Sequence, residues 1–396
     1  MQELLINVDN NKKEILLVEN GKLVERYTEE QGQDRIEGNI YLGIVENILP
    51  GMQAAFVNIG KEKNTFIHIR DIIPKVSIET GNKNEDFTEY NIKDYIKVGM
   101  PILVQVKKDS TNKKGARIST HLSIPGRYAV IIPNEKFITI SQKIDGENER
   151  ERLKQILKNK IENKYGAIIR TAAEGKKEEE IINDIDKTID KYNKIIETYN
   201  KSIKSKTIKP KLIFQSEGII QRLITDLIDK DLTDIRTNDK QVYADIEKKL
   251  EDINHNIKLE LKDDILGMYQ LNKQLEEIEN RKVWLKCGGF ITIDKTEALT
   301  AIDVNSGKYT GKQNLEQTIF LVNKEATIEI ARQLRLRDIG GIIIIDYIDM
   351  KNKENEEKII DLFKENLKKD RSKTQIVGFS KLNLLEMTRK HMCSND

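Results

Sequence analysis

Asp303, Asn305 and Asp346 are the residues of this 396-residue chain whose types and spacing point most directly to chemistry. Asp303 and Asn305 lie two residues apart at the end of Leu299 to Val304, whose alternation reads as a strand, so both point to the face that carries Ala301. Asp346 follows four consecutive isoleucines, Ile342 to Ile345, which read as a fully buried strand. A helix expected from Leu315 to about Leu336, stopped by Gly340-Gly341, joins the two strands into a parallel crossover. Right-handed crossover then brings both carboxylates to one rim. Such a pair suits magnesium, a hard cation that keeps several waters and needs only one or two protein carboxylates beside substrate phosphates. Asn305 can orient a carboxylate by a hydrogen bond. Taken singly, an aspartate at a strand end more often serves as a cap or turn former. Asp349 reads as a cap or support, and Asp338 as a turn or ion-pair residue beside Arg335 and Arg337.

Composition narrows the setting of that site. Lys+Arg 67 against Asp+Glu 65 leaves a formal charge of +2, so any basic surface for a polyanion must be local. Cys287 and Cys393 are the only cysteines, far apart, which fits a reducing compartment. The histidines (His68, His121, His255, His391) are scattered and form no zinc spacing. No apolar run approaches the length of a membrane span, and the first residues lack a signal-peptide core. A soluble cytoplasmic protein of two to four domains is the expectation.

The elements that must carry these residues change texture along the chain. Glu3–Val8 and Glu14–Glu25 read as a strand pair turned at Asp9-Asn10-Asn11. From Ile36 onward, short glycine-separated strands through Thr65–Ile69 and Pro101–Val106 predict a small barrel, with a polar insertion between Val76 and Asp94 read as a mobile loop. After Ile124 an α/β unit follows, with strands at Tyr128–Ile132 and Ala167–Ile169 around a helix near Glu147–Lys160. A long amphipathic helix then runs from Ile181 to Ile203. Short strands and helices alternate from Ile213 to Ile278. Phe290–Ile293 and Leu299–Val304 form a hairpin before the crossover.

Two long segments carry a specific resemblance. Thr296-Glu297-Ala298-Leu299-Thr300-Ala301-Ile302-Asp303-Val304-Asn305-Ser306-Gly307 resembles the catalytic signature of the ribonuclease E/G family, as does the run from Ile330 through Asp346 to Met350. The resemblance extends over nearly the whole chain. It implies an α/β multidomain fold: an RNase H-like subdomain from residues 1–35 with 208–278, an S1 (OB-fold) β-barrel over 36–123, an α/β 5′-sensor over 124–207 and a DNase I-like α/β catalytic subdomain over 279–396. It implies that Asp303 and Asp346 bind Mg2+ with Asn305 in support, and that single-stranded, A/U-rich RNA is cleaved internally to leave 5′-phosphate products. The expected substrates are mRNA and rRNA precursors.

The same resemblance assigns contacts elsewhere. Phe56 and Phe66 match residues that stack on bases; read from the sequence alone they fit a barrel core better. Lys114 matches a basic RNA contact, and a turn one residue longer than usual lets Lys113 serve instead. Lys312, Arg337 and Arg371 are candidates for holding substrate phosphates; Arg371 lies in Lys369-Asp370-Arg371, similar to a basic site of the family. Ala167 to Ala173 resembles the 5′-monophosphate sensor, with Arg170 and Thr171 as its fork and hydroxyl and Gly126 as the glycine that admits the 5′ end.

The cysteine pair of a C-P-x-C zinc link is missing from this sequence, so no zinc is expected. The family's tetramer is then not expected either, whereas dimer contacts of the catalytic segment are compatible with it. Two other function classes stand beside the endoribonuclease: an RNA-binding protein without cleavage, and a deoxyribonuclease. The intact Asp303, Asn305 and Asp346 argue against the first.

Overall fold

The computed structural model describes residues 1–10, 12–30, 35–72, 90–110, 115–161, 164–228, 232–253, 257–307 and 315–392. These divide into two compact units, one of residues 1–33 with 230–395 and one of residues 34–229.

In the unit of residues 34–229, strands Ile40–Leu49, Ala54–Asn58, Thr65–His68, Arg117–Ser119 and Pro101–Lys108 close into a barrel. Closure follows because Ile40–Leu49 pairs with Ala54–Asn58 on one side and Pro101–Lys108 on the other. Alternate residues, among them Val57, Ile67, Val104 and Ile118, fill the interior. Ile92 and Ile96 join that core, so the insertion expected to run as a loop to Asp94 is anchored before its end; its residues 76–89 lie outside those described. Lys211–Phe214 extends the barrel sheet along Ile40–Leu49. A second sheet of this unit orders Ile138–Ile140, Gly166–Ile169, Ala129–Ile132 and Ile124–Pro125. Leu153, Ile156 and Leu157 of the helix Glu147–Ile161 pack in its core with Ile181 and Ile185 of Glu178–Ile203.

In the other unit, the chain's beginning makes three strands rather than the expected pair: Gln2–Asp9, Lys12–Glu19 and Lys22–Glu30. The additional turn is Asn20-Gly21, whose φ angles of 50° and 76° suit a two-residue hairpin turn of the kind Asn-Gly favours. Gln2–Asp9 also pairs in parallel with Leu232–Thr237, and that strand with Lys258–Leu261.

The remaining sheet has the order Lys282–Trp284, Phe290–Lys295, Leu299–Asn305, Gly341–Asp346, Leu384–Arg389, Thr374–Phe379. Its helices, Leu315–Leu336 and Lys353–Leu367, bury Val322, Ala326, Ile330, Ile359 and Phe363 against Ile302, Val304, Ile343 and Ile345. Both helices pack on the same residues, so the four isoleucines alternate instead of being buried throughout. Ile343 and Ile345 are fully buried, but Ile342 is 51% exposed and Ile344 half-buried. A continuous apolar run predicts a strand covered on two faces; one covered face is what these helices provide.

The crossover helix ends before Gly340-Gly341. Asp338 adopts φ 45° and the amide of Ile339 reaches back to the carbonyl of Leu334 at 3.0 Å, a left-handed helix stop that aspartate tolerates. Asp338 also accepts from Arg389 at 2.8 Å, so it is both turn and ion-pair residue. Among the described residues no helix is long and apolar enough to cross a membrane.

Candidate active site

Leu299–Asn305 and Gly341–Asp346 pair in parallel with Asp303 directly beside Asp346. The reason is local. Ile302 and Val304 go down into the core, which sends Ala301, Asp303 and Asn305 to the other face; Ile343 and Ile345 do the same for Ile342, Ile344 and Asp346. Both carboxylates are exposed on the sheet face that the helices leave open. Asn305 donates from Nδ2 to Asp303 Oδ2 at 2.6 Å, which fixes the orientation of that carboxylate. Asp346 is pushed above the usual carboxylate range, first by partial desolvation and then by the neighbouring negative charges of Asp303 and Asp349. Asp349 accepts from Asn383 Nδ2 at 2.8 Å, which makes it a support at the end of the same rim.

Two like-charged carboxylates on neighbouring strands repel each other, and a divalent cation relieves that repulsion. The donor set is oxygen only, which matches magnesium better than zinc. Among the described residues no group of three or more His, Cys, Asp or Glu side chains is arranged to hold a metal. Asp303 and Asp346 thus stand as a pair of carboxylates, beside which water and substrate oxygens would supply the other ligands of a bound ion.

The other candidate residues fall into four situations. Gly126, Arg170 and Thr171 come together in the unit of residues 34–229. Arg170 donates from Nη1 to the carbonyl of Gly126 at 2.8 Å and from Nη2 to Asp226. Thr171 shares a hydrogen bond with the Ser141 hydroxyl at 3.1 Å. A side chain on residue 126 would collide with Thr188 Oγ1 at 2.5 Å and Asp184 Oδ2 at 2.6 Å, so only glycine fits. Asp184 meanwhile accepts from the amides of Arg127 and Tyr128 at 2.9 and 2.8 Å. Ser141, Asp184 and Asp226 went unnoticed in the sequence because nothing local marks them.

Phe56 and Phe66 are register partners on adjacent barrel strands, with ring centroids 6.3 Å apart in an edge-to-face arrangement. Their neighbours Val57 and Ile67 take the interior, so the two rings are half-buried on the outer face and do not form the barrel core. Lys113, Lys114 and Lys312 lie outside the described residues.

Arg337 and Arg371 are drawn into the protein. Arg337 is half-buried and donates from Nε to Gln333 Oε1 at 2.6 Å. The Arg371 side chain is 9% exposed and its guanidinium is held by Glu25 and the Tyr27 hydroxyl. Arg335 donates to the same Glu25 from Nε at 3.0 Å and to Glu19 at 2.9 Å. Burial alone would push Glu25 up, but Arg371 and Arg335, helped by Tyr27, hold it at about 2. Arg371 thus faces Glu25 rather than solvent.

An aromatic pair with no motif to mark it stands beside the acidic site. Phe290 stands opposite Asn305, and Trp284 stands opposite Phe290. The signal was available: Trp284 is the sole tryptophan, and in Lys282-Val283-Trp284 only the central residue is apolar in the way a core position requires.

Comparison with known proteins adds a family. A model described as "Ribonuclease E/G family" matches residues 123–392. The chain is 39% identical to a ribonuclease G of Salmonella typhimurium (strain SL1344), an alignment covering 98% of this chain and 79% of that one. It is also 39% identical to a ribonuclease G of Escherichia coli (strain K12), with the same coverage. A ribonuclease E of a Nostoc species is 34% identical over 97% of this chain and 56% of its own length.

Proposed function

This chain belongs to the ribonuclease E/G family, and from that premise we propose that it is a magnesium-dependent endoribonuclease that cleaves single-stranded, A/U-rich RNA and leaves 5′-phosphate products. The observation that carries this reading is the register of Asp303 beside Asp346 on an exposed sheet face, with Asn305 bound to Asp303. Asp303 and Asp346 would hold the ion, which when bound supplies Lewis acidity for the hydrolytic attack and for charge on the scissile phosphate. The protein's own part is positioning. Asn305 keeps one oxygen of Asp303 occupied and so sets which way the other points. Asp349 and Asn383 brace the rim that carries Asp346.

Binding of the strand is divided among the units. The closed barrel, read as an S1 domain, would stack bases on Phe56 and Phe66 and meet the backbone through Lys113 or Lys114. The half-buried, outward setting of both rings supports that role over a core role. Gly126, Arg170 and Thr171 would receive a terminal 5′-monophosphate, whose oxygens compete with Asp226 for the Arg170 fork. Arg371 enters the reading as a residue that ties Glu25 into place rather than one that touches RNA. The subdomains assigned from residues 1–35 with 208–278 and 279–396, RNase H-like and DNase I-like, belong to the same proposal. So do a role in RNA decay or rRNA processing and a cytoplasmic location.

The test is cleavage of a 5′-monophosphorylated, A/U-rich oligoribonucleotide with magnesium. The wild type is expected to produce fragments with 5′-phosphates, to stop on chelation, and to slow when the substrate carries a 5′-hydroxyl. Asp303→Asn is expected to bind and not cut. If the two proteins behave alike, cleavage does not occur at this site and RNA binding alone remains. A DNA oligonucleotide of the same sequence separates the ribonuclease from a deoxyribonuclease.

A further inference from the structure

The open face of the catalytic sheet carries more than its carboxylates. Val283 turns towards the core, which leaves Lys282 and Trp284 on the opposite face of the edge strand. Strand register then aligns two rows across that face. One runs Lys282, Thr292, Asp303, Asp346, and the other Trp284, Phe290, Asn305. Adjacent strands are about 4.8 Å apart, so the indole stands roughly 10 Å from Asn305 with the Phe290 ring between them.

The three side chains are organised among themselves. Trp284 and Phe290 meet edge to face at 5.4 Å and 63°. The Lys282 ammonium sits 3.5 Å from the Phe290 centroid and 4.0 Å from the Trp284 centroid. Trp284 nevertheless remains 64% exposed. A large indole held in water beside a positive charge contributes little to a core. It is well matched to a nucleotide, since a base stacks on an aromatic face irrespective of its sequence and an ammonium attracts the adjoining phosphate. The occupant is narrowed further by position: the platform shares its rows with Asp303 and Asn305, where a scissile phosphate would lie.

We propose that Trp284, Phe290 and Lys282 form a nucleotide subsite of the active face, in which Trp284 stacks on a base flanking the scissile phosphate and Lys282 draws in the neighbouring phosphate. This deepens the ribonuclease reading and rests on it. Because Trp284 is the only tryptophan, its emission reports this position alone.

The experiment titrates full-length Asp303→Asn protein with a single-stranded A/U-rich oligoribonucleotide and follows tryptophan emission together with the anisotropy of an end label. Saturable quenching in step with binding is expected; an abasic oligonucleotide of equal length that binds without quenching separates stacking from charge. In cleavage by the otherwise wild-type protein, Trp284→Ala is expected to raise KM by about 5- to 150-fold, the range that follows from losing one base stack, and Trp284→Phe to recover most of the loss. Lys282→Gln is expected to raise KM and flatten its dependence on salt.

RNA that binds without altering the emission overturns the subsite, as does an unchanged KM in Trp284→Ala. A third overturning result is a fall in solution mass for Trp284→Ala with RNA affinity intact, which would assign the face to a second copy of the chain. The two readings fail differently. A silent tryptophan in a protein that binds and cuts RNA removes the subsite alone, whereas a wild type that cuts nothing removes the ribonuclease.

Discussion

Glu25, Arg335 and Arg371 meet in the interior of the same unit whose sheet carries Asp303 and Asp346 on its exposed face. In the first cluster opposite charges are interleaved. Glu25 is 4% exposed, lies between two guanidinium groups, and is held well below the usual carboxylate range by them. In the second, like charges stand side by side, and Asp346 is pushed in the opposite direction. A buried group must find its counter-charge within the protein, because desolvating a charge that has no partner costs several kcal/mol. An exposed group can leave the matter to solvent or ligand. The two carboxylates are therefore shifted in opposite directions within one unit, Glu25 by counter-charges inside the protein and Asp346 by partial burial and like charge.

The contrast breaks if the exposed pair proves structural. Asp303→Asn is expected to lower cleavage of RNA by about 1,000-fold or more, the loss of several kcal/mol of charge stabilisation, with no fall in melting temperature. An unfolded or an active variant would each contradict the division. Glu25→Gln is the reverse experiment. It leaves Arg335 and Arg371 facing an uncharged amide in the interior, and removing one partner of a buried ion pair costs about 3–5 kcal/mol. Denaturant melts should register that loss, while cleavage per folded molecule is retained.

The same glutamate sets an acid limit. Its pKa in the fold, about 2, lies below its ordinary value of 4.5. A depressed carboxylate contributes stability that is complete above its ordinary value and is lost as pH falls through the folded one. Melts between pH 5 and pH 2 should therefore decline in the wild type, and decline less in Glu25→Gln, which has no such group to protonate. Asn305→Ala addresses the exposed cluster more gently. It keeps both carboxylates and removes only the amide that orients Asp303, so a loss of about 10- to 100-fold in metal affinity or activity is expected. A smaller change would leave Asn305 as a neighbour without an orienting role.

These two clusters were not equally legible in the sequence. Asp303, Asn305 and Asp346 sit within a strand, a helix and a strand that follow one another, so period-2 alternation and the handed crossover sufficed to bring them to one rim. The arginine partners of Glu25 are far away in the chain: Arg371 is 346 positions on. Nothing local distinguishes Arg371 from a surface arginine in a basic stretch, so its sequence setting suggests a phosphate contact where the fold gives it Glu25. The isoleucine run failed for a related reason. Composition gives the apolarity of Ile342 to Ile345 but not how many faces the helices will cover, which only packing decides. Asn20-Gly21 was different again, because its turn signal was local and the third strand of the first sheet could have been read from it.

The smallest expected effect is also the one that most sharpens the contrast. If Asp303 and Asp346 repel each other in the metal-free protein, their mutual repulsion is a cost carried by the fold. The raised Asp346 pKa has the same meaning: ionising this group at neutral pH opposes folding, so neutralising it should stabilise. Like charges on neighbouring strands are worth about 0.2–1 kcal/mol, and exposure to solvent favours the lower end. Asp346→Asn is therefore expected to melt slightly above the wild type in the presence of a chelator. Magnesium should then raise the wild type and leave the variant little changed, since a ligand stabilises only the folded state that binds it. Equal melts with chelator would mean that water already screens the pair. A magnesium-dependent rise of the same size in both proteins would place the ion elsewhere, and the exposed carboxylates would lose their claim to it.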